Sequence, residues 1–510
     1  MKKITIGVFM LFSAPAWSQD GIIDASFGTN GYVLVANNEG ATFGESVQPD
    51  GKIIYTQGAK FKRLNANGAP DTTFGVNGVV NIAQESYYIE NYWTLNNQII
   101  LLTKDYFNDI YRMGRYNFDN TVDTGFGNGT GFMVLNIGNN IKGRVRMKLS
   151  NDGKIYMGGN SVTSYGTYNN YYVKRINLNG TEDTSYNYNA SSGSGINISS
   201  TSIGYYTDEI IGDIDVSSTG QVIVSGLSTY REGHAFYYRR ATFAIVPNSS
   251  TVPVTKSHSY TAYYSSAKSD VALDKINNIY LLGGQNMVNV IGKYTSAGAN
   301  FISFGTNGYL TLPDLVIESN KKADFTKILI QPDGKILLGG TVMPETGTVN
   351  NPYLIMARYN QNGTIDSTFG TNGYVLFDIP HPNSGDSLNT FTHFFASPDF
   401  SSLYMCGKNA QNAAVIKYNN TSTIMAVAEA EENSLDLKVY PNPVQDVLNI
   451  SLDQKILSMT VYNMAGQQVL TKAINDNKGT ADVSALIPGT YMVKVNTANE
   501  TVKTVKIIKQ

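Results

Sequence analysis

The sequence predicts an all-β protein, built from small antiparallel sheets that repeat along most of its 510 residues. One turn recurs as Gln48-Pro49-Asp50-Gly51-Lys52, Ser150-Asn151-Asp152-Gly153-Lys154 and Gln331-Pro332-Asp333-Gly334-Lys335, each time leading into a short apolar run. A second turn recurs independently: Phe-Gly-x-Asn-Gly starts at Phe27, Phe74, Phe304 and Phe369, and Phe126-Gly127-Asn128-Gly129 is a shortened form. The composition agrees, since 48 Gly, 34 Tyr and many Asn favour strands joined by tight turns over helices. With 42% hydrophobic and only 15% charged residues, a disordered chain is excluded.

Residues 1–18 read as a secretory signal: Lys2 and Lys3, the apolar run from Ile4 to Phe12, then the small residues Ala16 and Ser18. Cleavage is expected between Ser18 and Gln19. No Cys follows the run to accept a lipid, and no later stretch approaches the length of a membrane-spanning helix, so no transmembrane segment is expected. The formal net charge of −2 becomes −4 once Lys2 and Lys3 are removed, which leaves no electrostatic footprint for nucleic acid. Cys406 is the one cysteine, so stability must come from packing and not from disulfides.

Within the repeat, Pro332 presets φ for the second turn position, Asp333 tolerates the next, and Gly334 takes the positive φ that closes the hairpin. The Ile336-Leu337-Leu338 run reads as a strand buried on both faces, and Gly339-Gly340 at its end suits an inner strand near a crowded axis. Tyr353 to Tyr359 forms the next strand, and Asn362-Gly363 the next turn. Weaker openings surround Asn97, Gly220, Asn278 and Asp399, and degenerate closings lie near Tyr186 and Ala244, which makes seven of each. Openings at Asp50, Asn96, Asp152, Thr219, Asn277, Asp333 and Asp399 are 46 to 67 residues apart, a spacing that suits a four-stranded unit with variable loops.

These units resemble the delta-60 repeat family, with its Pro-Asp-Gly-Lys opening, Ala-Arg-Tyr-Asn middle and Ser-Phe-Gly-x-Asn-Gly close. The resemblance covers residues 20–420, best at 46–80 and 328–375. It implies a seven-bladed β-propeller and no particular activity. The chain begins with a closing half-unit, Asp24 to Val33, and its last opening runs to Asn419 without a close. The N-terminal strand is therefore expected to complete the last blade and close the ring.

Residues 421–434 carry Glu429, Glu431 and Glu432, lack the repeat pattern and read as a linker. From 435 to 510, alternating segments such as Leu448-Ile450-Leu452 and Tyr491-Val493-Val495 predict a small C-terminal β-sandwich. This stretch resembles the sorting domain of the type IX secretion system, through Tyr440-Pro441-Asn442-Pro443, then Val461 to Gly466, then Gly489 and Tyr491. The resemblance implies handling by the type IX machinery and its sorting peptidase. It also implies a destination outside a Gram-negative cell, either released or attached to the outer-membrane surface.

No catalytic, cofactor-binding or metal-binding constellation is found. His234, His258, His381 and His393 show no ligand spacing, and Asp213 and Asp215 fit no calcium loop, so packing and turn roles are expected. Cys406 reads as a small buried hydrophobe. Asp71-Thr72-Thr73, Asp366-Ser367-Thr368 and Asp386-Ser387-Leu388 resemble O-glycosylation acceptors, although two of the three lie in the repeat's own turn. Candidate ligand contacts are Tyr165, Tyr168 and Tyr171 in one insertion and Tyr230, Tyr237 and Arg239 in another, where aromatic and polar groups sit on variable loops. The expected function is a non-enzymatic surface or secreted binding protein for a glycan or protein, without cofactor. The alternatives are a propeller hydrolase or lyase acting on extracellular polysaccharide, and a structural coat protein. A close carboxylate pair over the central channel would favour the enzyme.

Overall fold

The protein was analysed as a computed structural model that describes residues 20–82, 88–105, 110–135, 145–150, 153–162, 169–186, 196–198, 209–232, 236–247, 268–284, 288–312, 315–318, 321–344, 352–380, 388–420, 437–463, 468–486, 489–497 and 502–509. The signal with Ser18 and Gln19 lies outside the described residues, as do His234, His258, His381, Tyr165, Tyr168 and Gly466. The chain divides into two compact units, Met1–Val427 and Ala428–Gln510.

Among the described residues, the first unit is a succession of seven antiparallel sheets. Six follow in chain order over residues 42–81, 88–134, 146–198, 209–246, 268–311 and 316–377. The seventh joins Thr390–Ala396, Ser402–Lys408 and Asn412–Asn419 to Tyr32–Ala36 from the start of the chain. The predicted turns explain the hairpins. Gly51, Gly153, Gly220 and Gly334 all have φ between 75 and 81°, and Asn97, Asn277 and Phe400 take the left-handed place in the degenerate openings. In the closings, Asn30, Asn77, Asn128, Asn307 and Asn372 are likewise left-handed, each followed by a glycine of positive φ.

The apolar run after each opening is the second strand of its sheet, not the first. First strands contact one another in succession: Thr42–Val47, Tyr88–Leu95, Arg146–Leu149, Glu209–Val216, Lys268–Leu273, Lys321–Ile330, Thr390–Ala396, and the last again touches Thr42–Val47. The Gly339-Gly340 pair serves this packing from one layer out. A Cβ on Gly339 would lie 2.5 Å from Phe391 and Phe394 of the next sheet, and one on Gly340 would lie 2.0 Å from the Asp324 carbonyl oxygen.

Every consecutive pair of sheets shares an apolar core. Ile54, Phe61 and Phe74 meet Ile99 and Leu101 between the first and second, and Leu337, Leu354 and Met356 meet Leu403 and Met405 between the sixth and seventh. Phe43 and Tyr55 of the first sheet in turn share a core with Tyr404, Cys406 and Val415 of the seventh.

A recurring tie that sequence reasoning missed holds the closing turns. Arg63, Arg115, Arg175 and Arg358 each bind the carboxylate eight residues on, Asp71, Asp123, Asp183 and Asp366, at 2.6–2.9 Å. Each guanidinium also lies over the aromatic ring three residues further along, Phe74, Phe126, Tyr186 or Phe369, at 4.4–5.1 Å. The seventh sheet rebuilds the tie from opposite chain ends, with Lys417 3.0 Å from Asp24 and 6.0 Å from the Phe27 centroid. Burial pushes the Asp366 carboxyl up, but hydrogen bonds from Thr368 and Lys335 and the Arg358 charge outweigh it and bring it from 3.8 to about 2. Asp71 falls to about 2 against the same opposing burial, through Thr73 and Arg63. A depressed carboxylate stabilises the fold above its unfolded value and ceases to do so as pH falls through its folded one. Urea midpoints of the first unit should therefore hold from neutral pH to about 4 and drop steeply toward about 2, and Asp366→Asn should flatten that drop.

The second unit differs from the expected sandwich in its connectivity. Lys438–Tyr440, Val447–Asn463, Gln468–Asp482, Gly489–Thr497 and Val502–Lys509 hydrogen-bond as one five-stranded sheet. The reason is the length of Val447–Asn463. Its first part pairs with Lys438–Tyr440, its second with Gly489–Thr497, and Gln468–Asp482 follows it through both parts. Register shifts between Ser451 and Ile456 interrupt the ladder, and Leu448, Ile450, Met459, Val461, Tyr491, Val493 and Ile507 fill one core.

Candidate functional site

The sorting-motif residues have structural work in the second unit. Asn442 accepts a hydrogen bond from the Ile508 amide at 2.8 Å, Val444 donates to the Ile508 carbonyl at 2.8 Å, and Asn449 donates to the Tyr440 carbonyl at 3.0 Å. The Tyr-Pro-Asn-Pro segment thus joins the first strand of this unit to the last. Its two Pro residues, Pro441 and Pro443, follow cis peptide bonds. Tyr440 is half exposed, Gly489 opens the fourth strand, and Tyr491 is buried in the core.

In the first unit one charged cluster links the first strands of the fourth, fifth and sixth sheets. Lys327 of the sixth sheet lies 2.6 Å from Asp213 of the fourth and 2.9 Å from Asp270 of the fifth, and the Ile328 amide donates to Asp270 at 2.8 Å. Asp213 and Asp270 are also hydrogen-bonded to each other. Burial, with repulsion from Asp213, pushes the Asp270 carboxyl well up in spite of Lys327. At Asp213 burial acts in the same sense but is outweighed by Lys327, the bond from Asp270 and the Arg146 charge, so that carboxyl is held down. Asp215 pairs instead with Lys148 at 3.1 Å.

Beside this cluster a cleft of about 540 Å³ opens between the first and second sheets. Its walls are Glu39, Thr42, Phe43 and Gly44 on one side and Tyr88, Glu90, Asn91 and Tyr92 on the other, with Arg146 and His393 at its inner end. The Arg146 Nε donates to the Gly212 carbonyl at 2.9 Å, and His393 donates from Nε2 to the Gly44 carbonyl at 2.9 Å. His393 is buried and stacked on Phe395, a packing role.

Of the candidate ligand contacts, Tyr171 is 3% exposed, its ring in the core between the third and fourth sheets and its hydroxyl 2.8 Å from the Thr242 hydroxyl. Tyr230, Tyr237 and Arg239 stand on a long hairpin, Val222–Glu232 with Phe236–Val246, that continues beyond Glu209, the start of its neighbouring strand, which pairs with Ser228. Their side chains are outside the described residues. Cys406 is buried, and burial raises its thiol pKa well above the ordinary value, as for an inert core residue. The Thr73 and Thr368 hydroxyls donate to Asp71 and Asp366 within their turns, each at 2.6 Å. Among the described residues there is no group of three or more His, Cys, Asp or Glu that could hold a metal ion, and no helix long and apolar enough to cross a membrane.

Comparison with known proteins adds the following. The family described as "Secretion system C-terminal sorting domain" matches residues 438–510, and "Domain of unknown function (DUF5122) beta-propeller" matches residues 48–74, 150–186 and 331–369. A curated relative, Beta-agarase D of Zobellia galactanivorans, is 32% identical over 133 residues, which is 25% of this chain and 26% of that one. The chain thus spans about a quarter of the length of the curated relative it matches. Among solved structures, PorZ, a surface component of the type-IX secretion system of Porphyromonas gingivalis, aligns at 11% identity and TM-score 0.32 over 90% of this chain and 64% of that one. A protein of unknown function from Dyadobacter fermentans aligns at 12% identity and TM-score 0.39, over 76% and 98%. The chain carries a type IX sorting domain behind delta-60-like β-propeller repeats, and is a protein exported to the cell surface or the extracellular space.

Proposed function

We propose that this is a non-enzymatic binding protein whose seven sheets are the blades of one closed ring, and that one face of the ring takes a glycan or protein ligand outside the cell. The pairing of Tyr32–Ala36 with Asn412–Asn419 and the core shared by the first and seventh sheets support closure. On this reading the signal is 1–18, the ring 20–420, the linker 421–434 and the sorting domain 435–510, which the sorting peptidase removes.

The observation that carries the binding reading is the cleft. In an antiparallel meander, the start of the first strand and the turn between the second and third strands share one end. Thr42 pairs with Thr56, Tyr88 with Lys104, and Glu209 with Ser228, so the cleft mouth and the hairpin bearing Tyr230, Tyr237 and Arg239 crown the same face of a closed ring.

The Asp213–Asp270 pair, together with the local likeness to an agarase, gives the hydrolase reading its footing. Glycoside cleavage needs two carboxyl groups roughly 5 Å or more apart with the scissile bond between them. Here one ammonium, Lys327, binds both carboxylates at 2.6 and 2.9 Å, which favours a structural role. The mature protein should therefore bind immobilised glycan or protein ligands while releasing no reducing sugar from agar. Replacing residues 229–240 with a short Gly/Asn turn should leave the melting curve in place and weaken that binding. Sugar release that disappears in Asp270→Asn would establish the enzyme instead.

A further inference from the structure

We propose that the interface between the sixth and seventh sheets holds a buried water molecule, bound by Gln331 from one side and Tyr418 from the other and sealed in by the segment that precedes the first sheet. The site is separate from the cleft and stands whether or not the cleft takes a ligand.

Strand alternation brings the two side chains to this interface. In the sixth sheet Leu329 lies opposite Leu337, and Leu337 opposite Arg358. Leu329 and Leu337 share a core with Leu403, Met405 and Tyr418 of the seventh sheet. Gln331 follows Leu329 by two positions and so faces the same way. From the other side, Tyr418 enters that core, and Asn420, two positions on, accepts a hydrogen bond from Arg358 at 3.0 Å. Gln331 and Tyr418 thus border the same guanidinium from opposite sheets, and each is only 1% exposed.

Neither has a polar partner within the protein. Both polar atoms of the Gln331 amide and the Tyr418 hydroxyl are buried without a hydrogen bond. The first sheet shows why. There the equivalent turn residue, Gln48, accepts from Nη1 of Arg63 at 3.4 Å. In the sixth sheet Nη1 of Arg358 goes instead to Asp20 at 2.7 Å and Asn420 at 3.0 Å, so segments from outside the sheet displace Gln331 from its partner. Buried amides and hydroxyls are destabilising unless something replaces the lost solvent. Burial also pushes the Tyr418 hydroxyl well above its ordinary pKa, so it stays a neutral O–H that both donates and accepts.

The chemistry of these groups selects the ligand. The amide offers an acceptor and a donor and the hydroxyl offers both, and water complements all of them with about three contacts, the usual number for a buried water. An ion would not be matched, because Arg358 and Lys335 already stand against Asp20 and Asp366 at 2.7–2.9 Å, two positive charges against two negative. The N-terminal segment covers the site. Gly370 donates to the Asp20 carbonyl at 2.8 Å, and a Cβ on Gly21 would lie 2.6 Å from the Gly370 nitrogen and 3.0 Å from the Phe369 ring, so its backbone seats directly on the sixth sheet. Asp20 and Gly21 are both buried. The water is therefore trapped when this segment docks and released when it lifts.

The test uses the full mature chain. A high-resolution crystal structure should show one ordered water within about 2.5–3.2 Å of both Gln331 and Tyr418. Tyr418→Phe and Gln331→Met each keep the shape and remove one side of the bridge. Each should lower the melting midpoint by roughly 2 °C, because the water is left with unmet hydrogen bonds, and the double variant should lose less than the sum. Were the groups simply unpaired, removing them would relieve a desolvation cost and raise the midpoint. A midpoint raised or unchanged in either single variant, additive losses in the double, or a crystal structure with the site dry would overturn the proposal.

Discussion

Deleting residues 20–33 is expected to lower the melting midpoint of the first unit by roughly 10 °C or more and to make it associate. The segment is tied to the last sheet along its whole length: Gly21 donates to the Asn419 carbonyl at 2.8 Å, Asp24 to the Lys417 carbonyl at 2.9 Å, and Tyr32 stands opposite Ile416. Its removal also strips Arg358 of a partner. That guanidinium is fully buried and bonds Asp20 at 2.7 Å, Asn420 at 3.0 Å and Asp366 at 2.7 Å, so it draws the segments before the first sheet and after the seventh onto the sixth sheet. Arg358→Met should cost about 3–5 kcal/mol by itself, because buried Asp20 would lose the Arg358 charge and Asp366 would keep only Lys335, 2.9 Å away. Association follows from the exposed edge at residues 415–419, whose backbone groups would be free to pair with another copy. A complementary test keeps the segment: cysteines at Ala36 and Asn412, which are register partners, should form a disulfide within one chain at low protein concentration. Crosslinks only between chains would contradict this arrangement.

Removing Leu435 to Gln510 is expected to abolish surface display and leave a folded first unit in the periplasm. The sorting family matches residues 438–510, and those residues build a core of their own from Val444, Leu448, Ile456, Val461 and Ile507. Among the described residues that core is built from the second unit alone, and the truncated protein should melt at the midpoint of the first unit in the full chain. Cell fractionation with surface proteolysis reads the first outcome and calorimetry the second. Normal display of the truncated chain would refute the assignment of the export instruction to this tail.

The sequence by itself determined the repeating parts of this protein. Turns are local, so the positive φ at Gly51, Gly334 and Asn372 follows from residue types within a few positions, and each opening leads into a strand of one of the sheets seen among the described residues. The half-units at Asp24 and Asp399 likewise indicated that these two segments belong together, because each lacks what the other supplies, and Tyr32–Ala36 pairs with Asn412–Asn419. The Arg–Asp–Phe tie was also present in sequence, as a spacing of eight and then three residues in four units. It went unread because Arg358 looks like an ordinary polar strand position until its complete burial is seen. The order of sheet strands, with motif-free first strands meeting from sheet to sheet, was decided by tertiary packing, since alternation reports which residues are buried but not which strand they are buried against. The same holds for the candidate site. Asp213, Asp270 and Lys327 come from three sheets, and Tyr88, Arg146 and His393 from three others. Groups so far apart in the chain acquire a common purpose only when the sheets bring them within reach of one another, and no local pattern encodes that distance.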